Sequence, residues 1–445
     1  MLKIIVLLVL IAPLLVYSIR KRTFLYLIFA LLPILPDAFA IELSESLPLI
    51  SGSRMLICCI IMEWAIKKFH AKSIYIPKAI LIYIVFNILL SVIHLCGNLG
   101  EINRIFILVV EQLLLVLVVI DLIPDKKVLH ECIGALLYGS FIVAIIAIGQ
   151  SLLKIDLASV LMLVESAVNG QVPGRLGTVR AYGTSNAILY GCICSFMVLI
   201  GIYAYEQKKQ IVYLAVCAIN MVALFLTMTR SAILALLIVL VIMFLLRNKV
   251  MIRKYIKFVP VVLLAIVAVV VVKPDLMSNS LEIIKSVLNV FGADMGLTED
   301  FGANADNAVN SRMLQWSAVY YMIREGKGLL GYGYAAYARG ELYYYFEQFT
   351  AWVKAGALDV GFVKIATESG ILGLLSHIGI LAYVGVDAFH MSKGIRKLEL
   401  QNFMVYFVIL YLIVNVASSS PDGYVFWLTI ALYFAYKKKN ISQRS

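Results

Sequence analysis

The longest predicted membrane span begins where a long polar segment ends, at residues 359–386, which read DVGFVKIATESGILGLLSHIGILAYVGV. An α-helix needs about 17–25 predominantly apolar residues to cross roughly 30 Å of hydrocarbon, so residues 360–386 predict a transmembrane helix. Two residues that are charged at pH 7, Lys364 and Glu368, lie within it. Ionisable groups inside a span are costly, and this makes them functional candidates.

The polar segment that precedes this span starts at Lys273, and from Pro274 to Asp359 it carries ten acidic against six basic residues. The apolar spacing of residues 311–326 predicts a helix with Asn310 or Ser311 as its N-cap. Four glycines then predict that the helix is broken, and they are Gly326, Gly328, Gly331 and Gly333. We expect the chemistry of the protein in this segment.

The composition of the whole chain indicates a polytopic membrane protein, with 62% hydrophobic and 14% charged residues. Soluble domains have roughly 25% charged residues. Continuous apolar runs exclude a membrane β-barrel, whose strands alternate over about 10 residues. The net charge of +12 comes largely from short loops between apolar runs, so it does not indicate nucleic-acid binding. The seven cysteines show neither a disulfide pattern nor zinc-ligand spacing.

Thirteen apolar runs predict an all-α fold of about 12–13 transmembrane helices with one large external loop. The predicted spans are 3–19, 23–41, 50–66, 76–94, 105–123, 131–153, 184–205, 210–228, 230–246, 256–272, 360–386, 402–416 and 423–436. They divide the chain into N-terminal helices (1–153), a first long external loop (154–183), further helices (184–272), a large external loop (273–359), and C-terminal helices with a tail (360–445).

Alternate loops hold most of the basic residues, and this sets the predicted orientation. The loops of one side, together with the C-terminal tail, carry 23 of the 38 Lys and Arg residues. Cytoplasmic loops carry the excess of Lys and Arg, so the tail is predicted to be cytoplasmic and both long loops external. With thirteen spans the N-terminus is also external.

Four arginines are predicted to face outward near the membrane, against the usual charge preference. The guanidinium group donates in a planar fork that suits phosphate and pyrophosphate. The alternative is that each arginine pairs with a loop carboxylate or a lipid headgroup. The four candidates are Arg175, Arg180, Arg230 and Arg312.

Two carboxylates mark the start of the span at 360–386. Asp359 could accept a proton from a sugar hydroxyl, or it could be a helix N-cap, which its position suits equally well. Glu368 lies more than two turns deeper and could support Asp359 or pair with Lys364.

Aromatic residues cluster after the glycines, and they could stack on sugar faces or form the aromatic belt of a membrane interface. The candidate sugar-binding residues are Tyr332, Tyr334 and Trp352. Nucleotide-binding glycine loops, zinc-protease motifs and a Ser-His-Asp arrangement are not found, so ATP-driven or zinc-dependent chemistry is disfavoured.

Four sequence pieces occur in the order of a known family. They are Arg180-Ala181-Tyr182-Gly183-Thr184-Ser185-Asn186, Thr229-Arg230-Ser231-Ala232, Arg312-x-x-x-Trp316 with Gly331-Tyr332-Gly333, and Glu368-Ser369-Gly370-Ile371-Leu372-Gly373. With this order the chain resembles the O-antigen ligase and Wzy-type O-antigen polymerase family of bacterial membrane glycosyltransferases, over about Arg175 to Gly373. Arg180 and Gly191 also have an Arg-x10-Gly spacing noted in polymerases.

The resemblance implies a GT-C-like, metal-independent glycosyltransferase without a cofactor. It implies that the enzyme uses oligosaccharides carried on undecaprenyl pyrophosphate at the outer face of the bacterial cytoplasmic membrane. External arginines would then hold the pyrophosphate while a base activates the acceptor hydroxyl. The roles carried over are pyrophosphate binding by Arg175, Arg180, Arg230 and Arg312, and catalysis by Asp359, Glu368 and Arg312. Besides the bilayer, a chain-length regulator and a flippase are expected partners, and nucleic acid is not.

One departure from the family pattern favours a polymerase over a ligase. Ligases have a histidine nine residues before the glutamate of the Glu-x-Gly motif, where this sequence has Asp359. The polymerase product would be O-antigen, capsule or exopolysaccharide. A ligase acting on a lipid or protein acceptor, a flippase for lipid-linked sugars, and a peptidoglycan polymerase of the shape-and-division type remain alternatives. A transporter would more often show paired halves, and no repeat is found.

Overall fold

The computed structural model describes residues 16, 18–21, 23–35, 40–41, 50–68, 75–153, 180–246, 285, 312, 314–342, 358, 360–392, 399–418 and 424–442. The helices are α1 (Leu25–Ile34), α2 (Gly52–Lys68), α3 (Lys78–Leu95), α4 (Glu101–Phe106), α5 (Leu115–Leu122), α6 (Lys126–Leu153), α7 (Ala187–Lys208), α8 (Ile211–Leu226), α9 (Arg230–Leu245), α10 (Gly361–Ser392), α11 (Leu400–Ala417) and α12 (Tyr424–Ser442). A π-helical segment, Ile107–Leu114, joins α4 to α5. Two strands, Ala40–Ile41 and Ile50–Ser51, form a short antiparallel pair.

Membrane-spanning length and apolarity are found in five of the described helices. These are Lys78–Leu95, Glu101–Leu122, Lys126–Leu153, Ala187–Lys208 and Gly361–Ser392. Shorter apolar helices accompany them at Leu25–Ile34, Ile211–Leu226, Arg230–Leu245 and Leu400–Val416. The predicted all-α polytopic membrane fold is therefore confirmed.

The predicted span 23–41 is wrong in its second half, because α1 ends at Ile34. Leu35 is extended, with φ −79° and ψ 119°. This follows from Pro36, since the ring of a proline disfavours the helical conformation in the residue before it. The chain is again extended at Ala40–Ile41, where it forms the first strand.

Other predicted boundaries differ by a few residues. The span predicted at 105–123 begins at Glu101, the one at 131–153 begins at Lys126, and the one at 360–386 continues to Ser392. Polar residues at span ends are compatible with a helix because long side chains reach toward the interface. Almost all of the predicted span 3–19, the whole of 256–272 and most of both long loops lie outside the described residues.

The helices pack through small residues and buried polar pairs. Gly139 of α6 touches α1 so closely that a Cβ would lie 2.0 Å from the carbonyl oxygen of Ala30. Ser140 donates to the side-chain oxygen of Asn220 on α8 at 2.8 Å. Small residues allow such close helix approach in membranes, and buried polar groups need partners there.

Ion pairs define one end of the bundle, which we call the basic end. There Lys437 of α12 lies 2.7 Å from Asp387 of α10, and Lys438 lies 3.5 Å from Asp121 of α5. The opposite end, the site end, contains the junction of α8 with α9 and the first residues of α10. There Gly361 donates its backbone N–H to the carbonyl oxygen of Ser418 at 3.2 Å.

Candidate active site

Helix α10 is interrupted at the site end by a turn from the polar segment, residues 328–333, which we call the inserted turn. The break is at Gly370, whose backbone has φ 67° and ψ −172°. The inserted turn makes four backbone hydrogen bonds with the interrupted helix. They are Tyr332 N to Thr367 O at 2.8 Å, Gly333 N to Glu368 O at 3.0 Å, Ile371 N to Gly328 O at 2.8 Å and Leu372 N to Leu329 O at 3.3 Å.

These four bonds replace the hydrogen bonds that a continuous helix would form between residues 367 and 371 and between 368 and 372. Backbone groups at membrane depth must be satisfied within the protein, and broken helices occur where they line functional sites. The inserted turn therefore completes the helix and at the same time places the polar segment beside Glu368.

Glycine is required on both sides of this contact. Gly331 has φ 80°, and a Cβ added to it would lie 2.5 Å from the amide nitrogen of Gly370. A Cβ on Gly370 would lie 2.1 Å from the carbonyl oxygen of Leu329. Glycine alone adopts positive φ without a steric cost and permits such backbone approach. The glycines of Gly-Tyr-Gly and of Glu-x-Gly thus meet in space.

The carboxylate of Glu368 is held next to the break. Its Oε1 accepts a hydrogen bond from the backbone N–H of Ala335 at 3.1 Å. Lys364, one turn earlier, and Arg104 both interact with it electrostatically. The predicted partnership with Lys364 is thus an electrostatic one, and the amide of Ala335, two residues after the inserted turn, supplies the hydrogen bond.

Residues from the N-terminal half, which were not predicted to belong to the site, complete it. The guanidinium of Arg104 donates to the hydroxyl of Ser369. Glu101 accepts the backbone N–H of Tyr334 at 2.5 Å, and His94 contacts the carbonyl oxygen of Leu330 at 3.0 Å. The available signal was the pair of ionisable residues, Glu101 and Arg104, directly before the predicted span 105–123.

The two described tyrosines of the candidate sugar site use their hydroxyls within the protein. Tyr332 donates to Glu325 at 2.8 Å, and the Tyr334 hydroxyl accepts from the amide of Asn103 at 3.0 Å. Burial raises the pKa of the Tyr334 phenol above its usual value of 10.0. The Tyr332 hydroxyl thus bonds within the polar segment, whereas the Tyr334 hydroxyl joins this segment to α4.

Arg180 lies at the junction of α8 and α9. Its Nε donates to the carbonyl oxygen of Thr227 at 2.7 Å, and its Nη2 donates to the hydroxyl of Thr229 at 3.2 Å. Gly191 on α7 lies beside the same two threonines, and a Cβ there would be 2.9 Å from each hydroxyl oxygen. The Arg-x10-Gly spacing thus brings Arg180 and Gly191 to one place.

Arg230 is the first residue of α9 and directly follows Thr229. The N-terminus of a helix carries a partial positive charge and unpaired N–H groups, which favour anions. The structure therefore brings Arg180 and Arg230 to one junction with an electropositive character.

Arg312 is helical, and so are residues 314–324, within the helix predicted at 311–326. Gln315 of this segment accepts the backbone N–H of Val360 at 3.1 Å. Ala318 packs with Val360 and Val363 in one buried cluster. The segment that begins at Arg312 is thereby docked on the first turn of α10, beside the position of Asp359 in the chain.

Three predicted site residues, Arg175, Trp352 and Asp359, lie outside the described residues, so their roles stay predictions.

The family comparison agrees with this geometry. A family model described as O-antigen ligase matches residues 213–378. The matched region covers α8, α9, the inserted turn and the break in α10. No curated protein matches the chain significantly. Residues 213–378 are therefore similar to an O-antigen ligase domain, and the apolar helices around them are those of a multi-pass membrane protein.

Proposed function

We propose that this protein polymerises undecaprenyl-pyrophosphate-linked oligosaccharide repeat units into a surface polysaccharide. The product would be O-antigen, capsule or exopolysaccharide, formed at the outer face of the cytoplasmic membrane. The observation that carries the proposal is the inserted turn, which places a loop rich in candidate sugar-binding residues beside the Glu368 carboxylate at the site end.

The orientation follows from the charges. The basic end holds Lys437 and Lys438 of the C-terminal helix. An excess of Lys and Arg marks the cytoplasmic side, so the site end faces outward. Lipid-linked repeat units would reach the site end from the outer leaflet.

In the transfer step, the hydroxyl oxygen of the acceptor sugar attacks the anomeric carbon of the growing glycan. A new glycosidic C–O bond forms, and the C–O bond to the pyrophosphate of the donor lipid breaks. Asp359 takes the hydroxyl proton, and the lipid pyrophosphate leaves with the bonding electron pair. General-base catalysis of this kind contributes about 10²–10⁴-fold.

The arginines would stabilise the leaving group. Arg180 is already oriented by Thr227 and Thr229, so its guanidinium loses little freedom on binding an anion. Arg230 adds charge at the same junction, and Arg175 and Arg312 extend the cationic set from the two external loops. Donors placed in advance where charge develops are an efficient source of transition-state stabilisation.

Ligation is the second candidate function, and the description of the matching family model favours it. The same donor chemistry would then transfer a finished glycan to a lipid or protein acceptor. The presence of Asp359 at the position of the ligase histidine, and the meeting of Arg180 with Gly191, support polymerisation.

The test is an incubation of purified protein in vesicles with synthetic undecaprenyl-pyrophosphate repeat unit, without metal or nucleotide. We expect a ladder of lengthening glycan on a gel, no ladder with Arg312→Ala, and a weak ladder with Asp359→Asn. A single transfer to an added lipid acceptor would instead identify a ligase. Movement of intact lipid across the bilayer without any transfer would refute the enzyme and leave a transporter.

A further inference from the structure

Two charged residues of α4, Glu101 and Arg104, are buried beside the break in α10. Glu101 is 0% exposed and Arg104 is 9% exposed. Their nearest charged atoms, Arg104 Nη1 and Glu101 Oε2, are 4.0 Å apart. Within the described part of the chain, neither of these two atoms has a hydrogen-bond partner. Burying two charges costs free energy that their attraction often fails to recover. A contribution to folding stability is therefore a weak reason for the presence of this buried pair.

Glu101 and Glu368 accept hydrogen bonds from consecutive backbone N–H groups. Tyr334 N–H donates to Glu101 Oε1 at 2.5 Å, and the next amide, Ala335 N–H, donates to Glu368 Oε1 at 3.1 Å. Two consecutive amides are thus bound by carboxylates from two helices that are 267 positions apart in the chain. Movement of Glu101 would therefore move the amide that fixes the carboxylate of Glu368.

Arg104 contacts the residue that follows Glu368 in α10. Its Nη2 donates to the hydroxyl of Ser369, the residue between Glu368 and the break at Gly370. Its charge also interacts with the Glu368 carboxylate. Hydrogen bonds from charged donors are about twice as strong as neutral ones, and this one acts directly on the interrupted turn of α10.

We propose that Glu101 and Arg104 are positioning residues for the Glu368 carboxylate in glycan transfer. Glu101 holds the backbone of residues 334–335, which binds the Glu368 carboxylate. Arg104 holds the interrupted turn of α10, which carries Glu368. The inference rests on the proposed function, since it assigns these residues to the transfer reaction. It gives two residues of the N-terminal half a part in the transfer reaction.

The kinetic test compares Arg104→Gln, Arg104→Lys and Glu101→Gln with the unaltered protein in the glycan-transfer assay. We expect Arg104→Gln to lower kcat roughly ten- to hundredfold, because a hydrogen bond from a charged group is lost. We expect KM for the lipid-linked substrate to stay within about threefold, since the arginines that bind pyrophosphate are untouched. Arg104→Lys keeps the charge and one donor, so it recovers part of kcat.

The matched control is Lys437→Gln, which removes a half-buried ion pair of 2.7 Å at the basic end. It should leave kcat and KM unchanged. If Arg104→Gln does not fold, Glu101→Leu decides the matter, because leucine cannot accept the Tyr334 N–H and should lower kcat, whereas Glu101→Gln keeps an acceptor and should retain most of kcat. Full kcat in Glu101→Leu would overturn the proposal and leave a structural role.

A second measurement does not depend on activity. Ala336 is fully buried and follows the inserted turn by three residues. A cysteine in its place, Ala336→Cys, should therefore react slowly with a membrane-impermeant maleimide as long as the inserted turn stays bonded to α10. The three other cysteines that are not buried, Cys58, Cys59 and Cys96, are replaced by serine in this background. We expect Arg104→Gln to make residue 336 react faster, and Lys437→Gln to have no effect.

The two arms separate the two hypotheses. If the unaltered protein forms no glycan ladder, the proposed function fails, and the labelling result then decides whether Arg104 holds the interrupted part of α10 to which the inserted turn is bonded. If the ladder forms but labelling and kcat are both unaffected by Arg104→Gln, the positioning role is refuted while the function stands.

Discussion

Gly331 and Gly370 meet so closely that a Cβ on Gly331 would lie 2.5 Å from the amide nitrogen of Gly370. Both have positive φ, 80° and 67°. The two residues are 39 positions apart, and their contact joins the polar segment to the interrupted helix. The following predictions test this contact and the other contacts that hold the site.

Gly331→Ala and Gly370→Ala should each lower stability and abolish glycan transfer. A residue other than glycine in such a conformation costs about 1–3 kcal/mol, and the backbone clash adds to this. Thermal unfolding in detergent measures the loss. Gly379→Ala is the matched control, because it lies on the same helix with nothing within 4 Å of its Cβ position. A Gly370→Ala protein that unfolds like the unaltered one would contradict the described break.

Thr229→Val should raise KM for the lipid-linked substrate and change kcat less. The hydroxyl of Thr229 accepts from Arg180 Nη2 at 3.2 Å, and valine keeps the shape without the acceptor. Loss of one hydrogen bond of about 0.5–1.5 kcal/mol corresponds to roughly a two- to tenfold change in affinity. Steady-state kinetics provide the measurement. Thr229→Ser keeps the hydroxyl and should behave as the unaltered protein, and an equal effect of both variants would argue against this orientation of Arg180.

Tyr334→Phe should make stability less sensitive to alkaline pH. Burial raises the pKa of Tyr334 above 10.0, so between its unfolded and folded pKa values the folded state binds more protons. Stability therefore falls as pH rises through this window, above about pH 10. Unfolding temperatures measured from pH 8 to pH 11 should fall more steeply for the unaltered protein than for Tyr334→Phe. Parallel curves would show that the phenol is not buried.

Gln315→Leu should loosen the segment that begins at Arg312. It removes the acceptor for the buried backbone N–H of Val360, and an unsatisfied buried donor costs about 1–3 kcal/mol. Limited proteolysis within residues 314–324 should become faster. Arg324→Gln, an exposed change on the same segment, should leave the cleavage rate unaltered. Equal cleavage of Gln315→Leu and the unaltered protein would refute the docking of this segment on α10.

The membrane class and most helices could be predicted from the sequence, because span length and loop charge are local properties. The residues that meet at Thr229 were also identified, since Arg180 and Arg230 occur in recognisable motifs. The end of α1 was missed although Pro36 signalled it. Glu101 and Arg104 were not assigned to the site because their contacts join residues more than 230 positions apart, and no local pattern encodes such a pairing.

The inserted turn also limits where the junctions of a chimeric protein can be placed. A chimera that exchanges the polar segment at residues 273 and 359 would take Gly331 from one parent and Gly370 from the other. The four backbone bonds between residues 328–333 and 367–372 would then join two foreign halves. A segment exchanged between two such proteins must therefore extend to about residue 373. The polar segment and the first three turns of α10 then come from the same parent.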